Sequence, residues 1–204
     1  MSSIQIDRQS LSNVRLLLAG VQSEAPKILN RALNATAKKG RTEASKAIRA
    51  EVKLSASYVK ARLAVKKATF RSLQAKVSTP SRGILLSRFS TQANVRSENV
   101  SWIRPPPVPA RGIKVKVSPT DGSKTVSGDT ETKGKPFYLV LPNGRLGIAA
   151  RRRTAGPRGG TIKVFHGPSL SQVFNNIISE IRDPLAEYQE EQVSKQIDSV
   201  LRGF

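Results

Sequence analysis

The chain has 204 residues, of which 35 are Lys or Arg and 14 are Asp or Glu, so its formal net charge at pH 7 is +21. A field of this strength attracts polyanions and opposes self-association at low ionic strength. The lack of cysteine and the single histidine exclude disulfides, cysteine-containing zinc sites and metal motifs built on two histidines.

The N-terminal residues predict two short elements. Residues 4–6 (IQI) alternate and predict an edge strand. Ser10 or Ser12 is suited to cap a first helix over residues 14–19, and Gly20 is suited to end it.

Residues 24–67 predict a long basic helix followed by a shorter one. Small and apolar residues recur there at the three- and four-residue steps of one helix face: Ile28, Leu29, Ala32, Leu33, Ala37, Ala44, Ala47, Ile48 and Val52. This face is narrow and mostly alanine, which favours close packing against another element. Pro26 suits the first turn, whereas Gly40 should weaken the helix by roughly 1 kcal/mol relative to alanine. The helix should end near Val52, and a second helix over residues 56–67 should follow, capped by Ser55 or Ser57.

The other faces of the long helix are cationic. Five of these side chains are candidates for contact with DNA, a channel lumen or a neighbouring subunit: Lys38, Lys39, Arg41, Lys46 and Arg49. The alternative interpretation is that they form an ordinary solvated face.

The chain then becomes rich in β-formers and turn residues. Strands are predicted over residues 69–79 and from residue 84 onward, with a turn between them. The prolines of residues 105–109 predict a stiff polyproline-II segment that cannot lie inside a sheet. Residues 113–117 alternate and predict another strand.

A hairpin is the strongest local prediction in this middle region. Residues 118–135 are rich in Gly, Ser and Thr and predict a long flexible loop. Beyond it, Pro142-Asn143-Gly144 separates two apolar runs, residues 137–141 and 146–151, which predicts an antiparallel pair. A last strand is predicted over residues 161–165.

The hairpin leads into an arginine cluster, formed by Arg151, Arg152, Arg153 and Arg158. A flexible arginine-rich loop is suited to bind phosphates without sequence preference. The affinity of such binding falls steeply as the salt concentration rises. Docking of acidic neighbours and a solvated loop without a role are the competing interpretations.

A second long helix is predicted from residue 168 or 169 to the end. Its apolar stripe is solid up to Ile181 and thinner afterwards, and Pro184 should kink or restart it, with Asp183 as a candidate cap. We expect the distal half, from Val193, to be an interaction arm rather than a buried helix. The candidate subunit contacts are Leu185, Tyr188, Val193, Ile197 and Leu201.

These elements predict an α+β fold, with long N-terminal and C-terminal helices flanking a central antiparallel sheet with long loops. The predicted regions are a helical region at 1–68, a β region at 69–167 with the proline-rich segment and the flexible loop, and a helical arm at 168–204. Together they would form one structural domain with extensions. The charge is uneven, because residues 1–120 carry 23 basic and 5 acidic side chains (+18), residues 121–168 carry 9 and 3 (+6), and residues 169–204 carry 3 and 6 (−3).

The sequence offers no pattern for an enzyme. His166 stands without a nearby second His, Cys or suitable acid, and no phosphate-loop motif joins a strand to a helix. We therefore expect no catalytic residue, no metal and no cofactor. No apolar run of about 18 residues and no signal core are present, so a soluble chain without a membrane partner is expected. The helices lack a pattern for reading base edges, and aromatic residues, at 5%, are too few for single-strand stacking platforms.

The chain resembles the prophage minor tail protein Z family, the tail-completion proteins of long-tailed bacteriophages. The resemblance is carried by residues 25–34 (APKILNRALN), 57–69 (SYVKARLAVKKAT), 137–145 (FYLVLPNGR) and the entry to the last helix at 168–174. It touches most of the chain but departs from the family's pattern at the proline run and at the 118–135 loop.

The resemblance implies a structural virion protein of the neck or upper tail, without enzymatic activity. It would form a homo-oligomeric ring, expected to be a hexamer, where the tail joins the head. Its partners would be the tail terminator, the head–tail connector or stopper proteins and, by non-specific phosphate contact, the packaged DNA. Assembly would take place in the host cytoplasm. The acidic C-terminal segment could then dock on the basic body of the next subunit.

Two alternatives remain open. A free nucleic-acid-binding protein without sequence preference is supported by the charge, although the apolar C-terminal stripe calls for protein partners. A tail-assembly protease or scaffold is a weaker hypothesis, and the lack of a recognisable active site argues against the protease.

Overall fold

The computed structural model describes residues 2–6, 24–96, 102–154 and 161–202. Its helices are α1 (Ala25–Glu51), α2 (Ala56–Arg62), α3 (Ala93–Arg96) and α4 (Leu170–Leu201), with a 3₁₀ helix over Leu86–Phe89. The strands are β1 (Ser2–Ile6), β2 (Ala64–Lys66), β3 (Ala75–Thr79), β4 (Gly83–Leu85), β5 (Lys114–Val115), β6 (Lys124–Thr125), β7 (Thr132–Val140), β8 (Leu146–Arg152), β9 (Ile162–Val164) and β10 (His166–Ser169).

The predicted α+β class is confirmed, with the strands distributed over four small antiparallel sheets. The chain forms two compact units, neither of which is continuous in sequence. The first contains β1, α1 as far as Arg49, α2, β2, β3 and α4. The second contains residues 50–54 and the elements from β4 to β10. The three-part division at residues 68/69 and 167/168 stays a prediction.

The first unit is held together by an antiparallel pair of long helices. Ile28, Leu29 and Ala32 near the start of α1 form a core cluster with Val193 and Ile197 near the end of α4. Farther along α1, Gly40 lies against Leu185, so that a Cβ built on the glycine would stand 3.2 Å from Leu185 Cδ1. The glycine therefore leaves room for the Leu185 side chain beside α1, which accounts for a residue that is unfavourable within a helix.

The narrow alanine face predicted for α1 is confirmed. Its members are buried, except for Ala47, which is half-buried: Ile28, Leu29, Ala32, Leu33, Ala37, Ala44, Ile48 and Val52. The break after α1 is also confirmed, since α1 ends at Glu51 and Ser55 caps α2 by accepting a hydrogen bond from the Tyr58 N–H.

The β-sheet of the first unit has the order β1-β3-β2 and packs against α4. Strand β1 lies at its edge, as predicted for residues 4–6. On β3 the side chains of Ala75, Val77 and Thr79 are buried while Lys76 is exposed, which is the alternation of a sheet covered on one face.

Two asparagines of α1 clamp the chain that follows β2. The Asn34 Oδ1 accepts a hydrogen bond from the Ala68 N–H at 2.8 Å, and its Nδ2 donates to the Ala68 carbonyl at 3.2 Å. Asn30 Nδ2 donates to the same carbonyl at 3.1 Å. Asn34 also donates to Asn30 Oδ1 at 3.0 Å, which orients both amides.

The core of the second unit lies around β8, the middle strand of the β7-β8-β9 sheet. All residues from Leu146 to Ala150 are buried, so both faces of this strand are covered. The 3₁₀ helix is tied to the strand by the Ser87 hydroxyl, which donates to the Leu146 carbonyl. The predicted hairpin is confirmed: β7 and β8 pair across the Asn-Gly turn, where Gly144 has a φ of 72°.

Several sequence predictions are wrong in extent. The second helix ends at Arg62 and not near residue 67, because residues 64–66 pair with β3 as a strand. The strand predicted over 69–79 covers only Ala75–Thr79, and the one predicted over 113–117 only Lys114–Val115. The predicted loop 118–135 contains β6 and the beginning of β7.

Three further predictions concern Pro184 with Asp183, the proline run and the N-terminal helix. Helix α4 continues through Pro184, so the proline does not restart it and Asp183 is not a cap. The proline is exposed, where water can bond to the carbonyl that loses its partner. The proline run at 105–109 lies outside helices and strands, and the helix predicted over residues 14–19 lies outside the described residues.

The clamp predicts the effect of Asn34→Ala. Removing the amide leaves the Ala68 N–H without its partner. The free energy of unfolding should therefore fall by about 1–2 kcal/mol, even after the gain from the higher helix propensity of alanine is subtracted. Urea denaturation followed by circular dichroism measures the change. Asn175→Ala, at an exposed position of α4, is the control and should cost nothing; equal stability of the two variants would contradict the clamp.

The helix contact predicts the effect of Gly40→Leu. A branched side chain at this position would collide with Leu185 and Val77, so we expect a loss of about 1–3 kcal/mol of unfolding free energy despite the higher helix propensity of leucine. Thermal unfolding measures it, with Thr42→Leu on the exposed face of the same helix as control. A Gly40→Leu variant as stable as this control would show that the helices tolerate a wider separation.

Candidate assembly and polyanion surfaces

The cations predicted on α1 differ in how far they are engaged by other groups. Lys39 and Lys46 both form ion pairs with Glu43, at 3.4 and 3.1 Å, and the hydrogen bond from Lys46 lowers the pKa of Glu43 below its usual range. Lys39 also lies 5.7 Å from the ring centroid of Tyr188. Such exposed pairs contribute little to stability, but they partly neutralise the two lysines.

Arg41, Arg49 and Lys38 complete the predicted set on α1. Arg41 Nη2 donates to the Lys60 carbonyl at 2.6 Å, so this guanidinium is a structural link within the first unit. Arg49 Nε donates to the Ser45 carbonyl of its own helix at 3.3 Å. The Lys38 side chain is exposed and has no hydrogen bond or ion pair to any described residue. Of the five, Lys38 is therefore the cation most available to an external anion.

The side chains of the arginine cluster are likewise only partly available to an external anion. Arg152 Nη1 pairs with Glu131 at 3.2 Å, and Arg153 Nε donates to the Thr132 carbonyl at 3.0 Å. Arg151 is exposed on β8, and its side chain has no partner within the described ranges. Arg158 lies outside the described residues.

Acidic residues from the predicted loop neutralise the neighbourhood of this cluster. Lys163 Nζ contacts both Asp129 and Glu131. Its hydrogen bond lowers the pKa of Asp129, and the Asp129 carboxylate in turn raises the pKa of Lys163. Among its described members, the cluster is thus a mixed charged surface in which the Arg151 side chain has no described partner.

The predicted subunit contacts of α4 fall into two classes. Leu185, Val193 and Ile197 are buried inside this chain, in or beside the contact with α1. The expectation that the distal half is an arm rather than a buried helix is therefore wrong, because the α1 cluster covers its apolar stripe. Tyr188 is half-buried and Leu201 is 69% exposed, which leaves these two for a subunit contact. That role stays a prediction.

Helix α4 carries an acidic surface, of which the sequence indicated only the net charge of −3 for residues 169–204. All six acidic residues of α4 are exposed, and their spacing places them within about 100° of the helix circumference. This acidic stripe consists of Glu180, Asp183, Glu187, Glu190, Glu191 and Asp198. Only Glu191 forms an ion pair with a described residue, Lys195. The three- and four-residue spacing of the carboxylates was the signal in the sequence.

The hairpin between β2 and β3 was also missed, because a continuous strand was predicted across its turn. Thr69 and Ser72 exchange two backbone hydrogen bonds, 2.9 and 3.1 Å long, which leave Phe70 and Arg71 at the tip. Phe70 is 68% exposed. We call residues 64–79 the basic hairpin, since it carries four exposed cations, Lys66, Lys67, Arg71 and Lys76.

Among the described residues, no group of three or more His, Cys, Asp or Glu side chains is arranged to hold a metal ion. In the same part of the chain, no helix is long and apolar enough to cross a membrane. His166 is exposed at the start of β10, and its Nδ1 lies 3.1 Å from the Val164 carbonyl.

Comparison with known proteins identifies a family. The profile of a family described as prophage minor tail protein Z (GPZ) matches residues 11–204, which is nearly the whole chain. No curated protein and no solved structure matches significantly. The resemblance inferred from residues 25–34, 57–69 and 137–145 is thereby confirmed. The chain belongs to the prophage minor tail protein Z family, a family of structural bacteriophage tail proteins.

Proposed function

We propose that this minor tail protein is a tail-completion component that forms a ring, expected to be a hexamer, at the head–tail junction. In this position it completes the tail and supports its joining to the head. Its neighbours would be the tail terminator and the head–tail connector or stopper proteins. It would act in the neck or upper tail of the virion after assembly in the host cytoplasm.

The opposite charge of two exposed surfaces within the first unit supports a ring. The acidic stripe lies on α4, whereas α1 and the basic hairpin carry exposed cations. Within the described chain, none of the six carboxylates of the stripe forms an ion pair with these cations, and Glu191 pairs with Lys195 of its own helix. A head-to-tail contact between different surfaces of identical subunits closes into a ring when the rotation between them permits it.

Contact with packaged DNA is a finer part of the proposal. It rests on Lys38 and Arg151, the two cations without a described partner among the eight predicted ones that the structure describes. Contacts of this kind would bind phosphates without reading the sequence.

The alternative is a free nucleic-acid-binding protein without sequence preference. The net charge of +21 favours it, because counterion release alone supplies non-specific affinity. The family membership supports the virion role instead, since a minor tail protein is a component of an assembled particle.

Interruption of the gene in an inducible prophage tests the tail-completion role. We expect heads and tails to assemble but to remain unjoined, with the titre of infectious particles restored by the wild-type chain supplied in trans. Negative-stain electron microscopy counts the joined particles, and gold-labelled antibody should mark the head–tail junction. Normal joined particles without the protein would contradict the proposal, and label on DNA outside virions would favour the alternative.

DNA contact by Arg151 is tested by Arg151→Glu. We expect weaker binding of duplex DNA. The slope of log affinity against log salt should become less negative by about 0.9 for each phosphate that the variant no longer binds. Arg145→Glu, an exposed arginine at the turn of the same hairpin, changes the net charge equally and is the control. Equal effects of the two variants in a fluorescence-anisotropy titration would assign the affinity to net charge and contradict a specific role of Arg151.

A further inference from the structure

We propose that the basic hairpin docks on the acidic stripe of a second copy of this chain, with Phe70 as its apolar anchor. The inference rests on the proposed ring and names the two surfaces that would join its subunits.

The hairpin tip is fixed on both sides of its turn. On one side, Asn30 and Asn34 hold the backbone of Ala68 through three hydrogen bonds. On the other side, Leu73 packs against the core cluster of α1 and α4. A fixed tip loses little conformational entropy when it binds a partner, so it is suited to act as an anchor.

The side chains at the tip have the chemistry of an interface core. A single exposed apolar residue is common on protein surfaces, but Phe70 is two-thirds exposed at the extremity of a fixed turn and is followed directly by Arg71. Aromatic residues and arginine are the types enriched in interface cores.

No described acidic residue neutralises the charges of the hairpin. Lys66 and Lys76 stand directly opposite each other on β2 and β3, an arrangement that destabilises a sheet. Neither they nor Lys67 and Arg71 form an ion pair with a described residue. An anionic partner would relieve this repulsion.

The acidic stripe has the complementary charge and sufficient length. From Glu180 to Asp198 it extends for about 27 Å along α4, at a rise of 1.5 Å per residue. Because the stripe and the hairpin form no ion pair with each other in the described chain, the complementary surfaces are free to meet between copies.

Duplex DNA is the less suitable partner for this hairpin. The bases of a duplex are stacked on one another and offer no free face to Phe70, unlike those of a single strand. DNA would also leave the acidic stripe without a role. A second copy accounts for both surfaces at once.

Charge reversal on each surface, followed by mixing, tests the proposal. One variant carries Lys66→Glu, Arg71→Glu and Lys76→Glu; the other carries Asp183→Lys, Glu187→Lys and Glu190→Lys. All six positions are exposed, so the unfolding temperatures should be unchanged. We expect the wild-type chain to sediment as a closed oligomer and each variant alone as a monomer. An equimolar mixture should restore a closed oligomer of alternating subunits, with equal numbers of the two variants by native mass spectrometry.

Two further variants complete the experiment. Lys114→Glu, Lys124→Glu and Lys135→Glu together reverse three exposed lysines of the second unit and should leave the oligomer intact. Phe70→Ala should raise the dissociation constant of the oligomer by at least about tenfold, whereas Val108→Ala, at another exposed apolar position, should not.

The outcomes separate this inference from the proposed function. A wild-type oligomer that persists in either reversed variant, or a mixture that stays monomeric, overturns the hairpin–stripe contact and leaves the ring standing. A hairpin variant that assembles normally but no longer binds duplex DNA would assign the hairpin to DNA and also overturn it. A wild-type chain without self-association, alone or in purified tails, overturns both.

Discussion

The first unit depends on the side-chain contacts between α1 and α4, where Gly40 leaves room for Leu185 because it has no Cβ. The contact aligns the two helices so that Ile28, Leu29 and Ala32 meet Val193 and Ile197 at one end. Leu73 of the basic hairpin packs against this same cluster, and Asn30 and Asn34 reach from α1 to the residue before its turn. The position of the hairpin and the outward orientation of the acidic stripe are thus consequences of one helix pair.

Burial of the apolar stripe on α4 has a consequence for how subunits could meet. Val193 and Ile197 already have partners within the chain, so an interface on this helix has to use its charged face, with Tyr188 and Leu201 at the margins. Contacts between exposed charges weaken as salt rises, because screening shortens their range to about 8 Å at physiological ionic strength. A fixed apolar residue such as Phe70 supplies a contact that salt does not weaken.

Strong periodic patterns were reliable guides to the fold. The alanine face of α1, its end near Val52 and the Asn-Gly hairpin follow from spacing and turn chemistry alone, because each pattern is satisfied by local geometry. Composition was a weaker guide: the glycine- and serine-rich stretch 118–135 contains β6 and the start of β7. Pairing with a neighbouring strand there outweighs the local preference for a loop.

Residue type and spacing are sufficient to predict the helix at each end, the α+β class, the uneven charge and the family, since none of these requires knowledge of long-range contacts. The folded structure is needed to establish which charged side chains have partners. It pairs Lys39 and Lys46 with Glu43, ties Arg41 to the Lys60 carbonyl and leaves Lys38 and Arg151 without a described partner. It also shows that the predicted arm is a helix packed in the core, and that Phe70 lies at a hairpin tip. These outcomes depend on contacts between residues far apart in the chain, which spacing along one element does not encode.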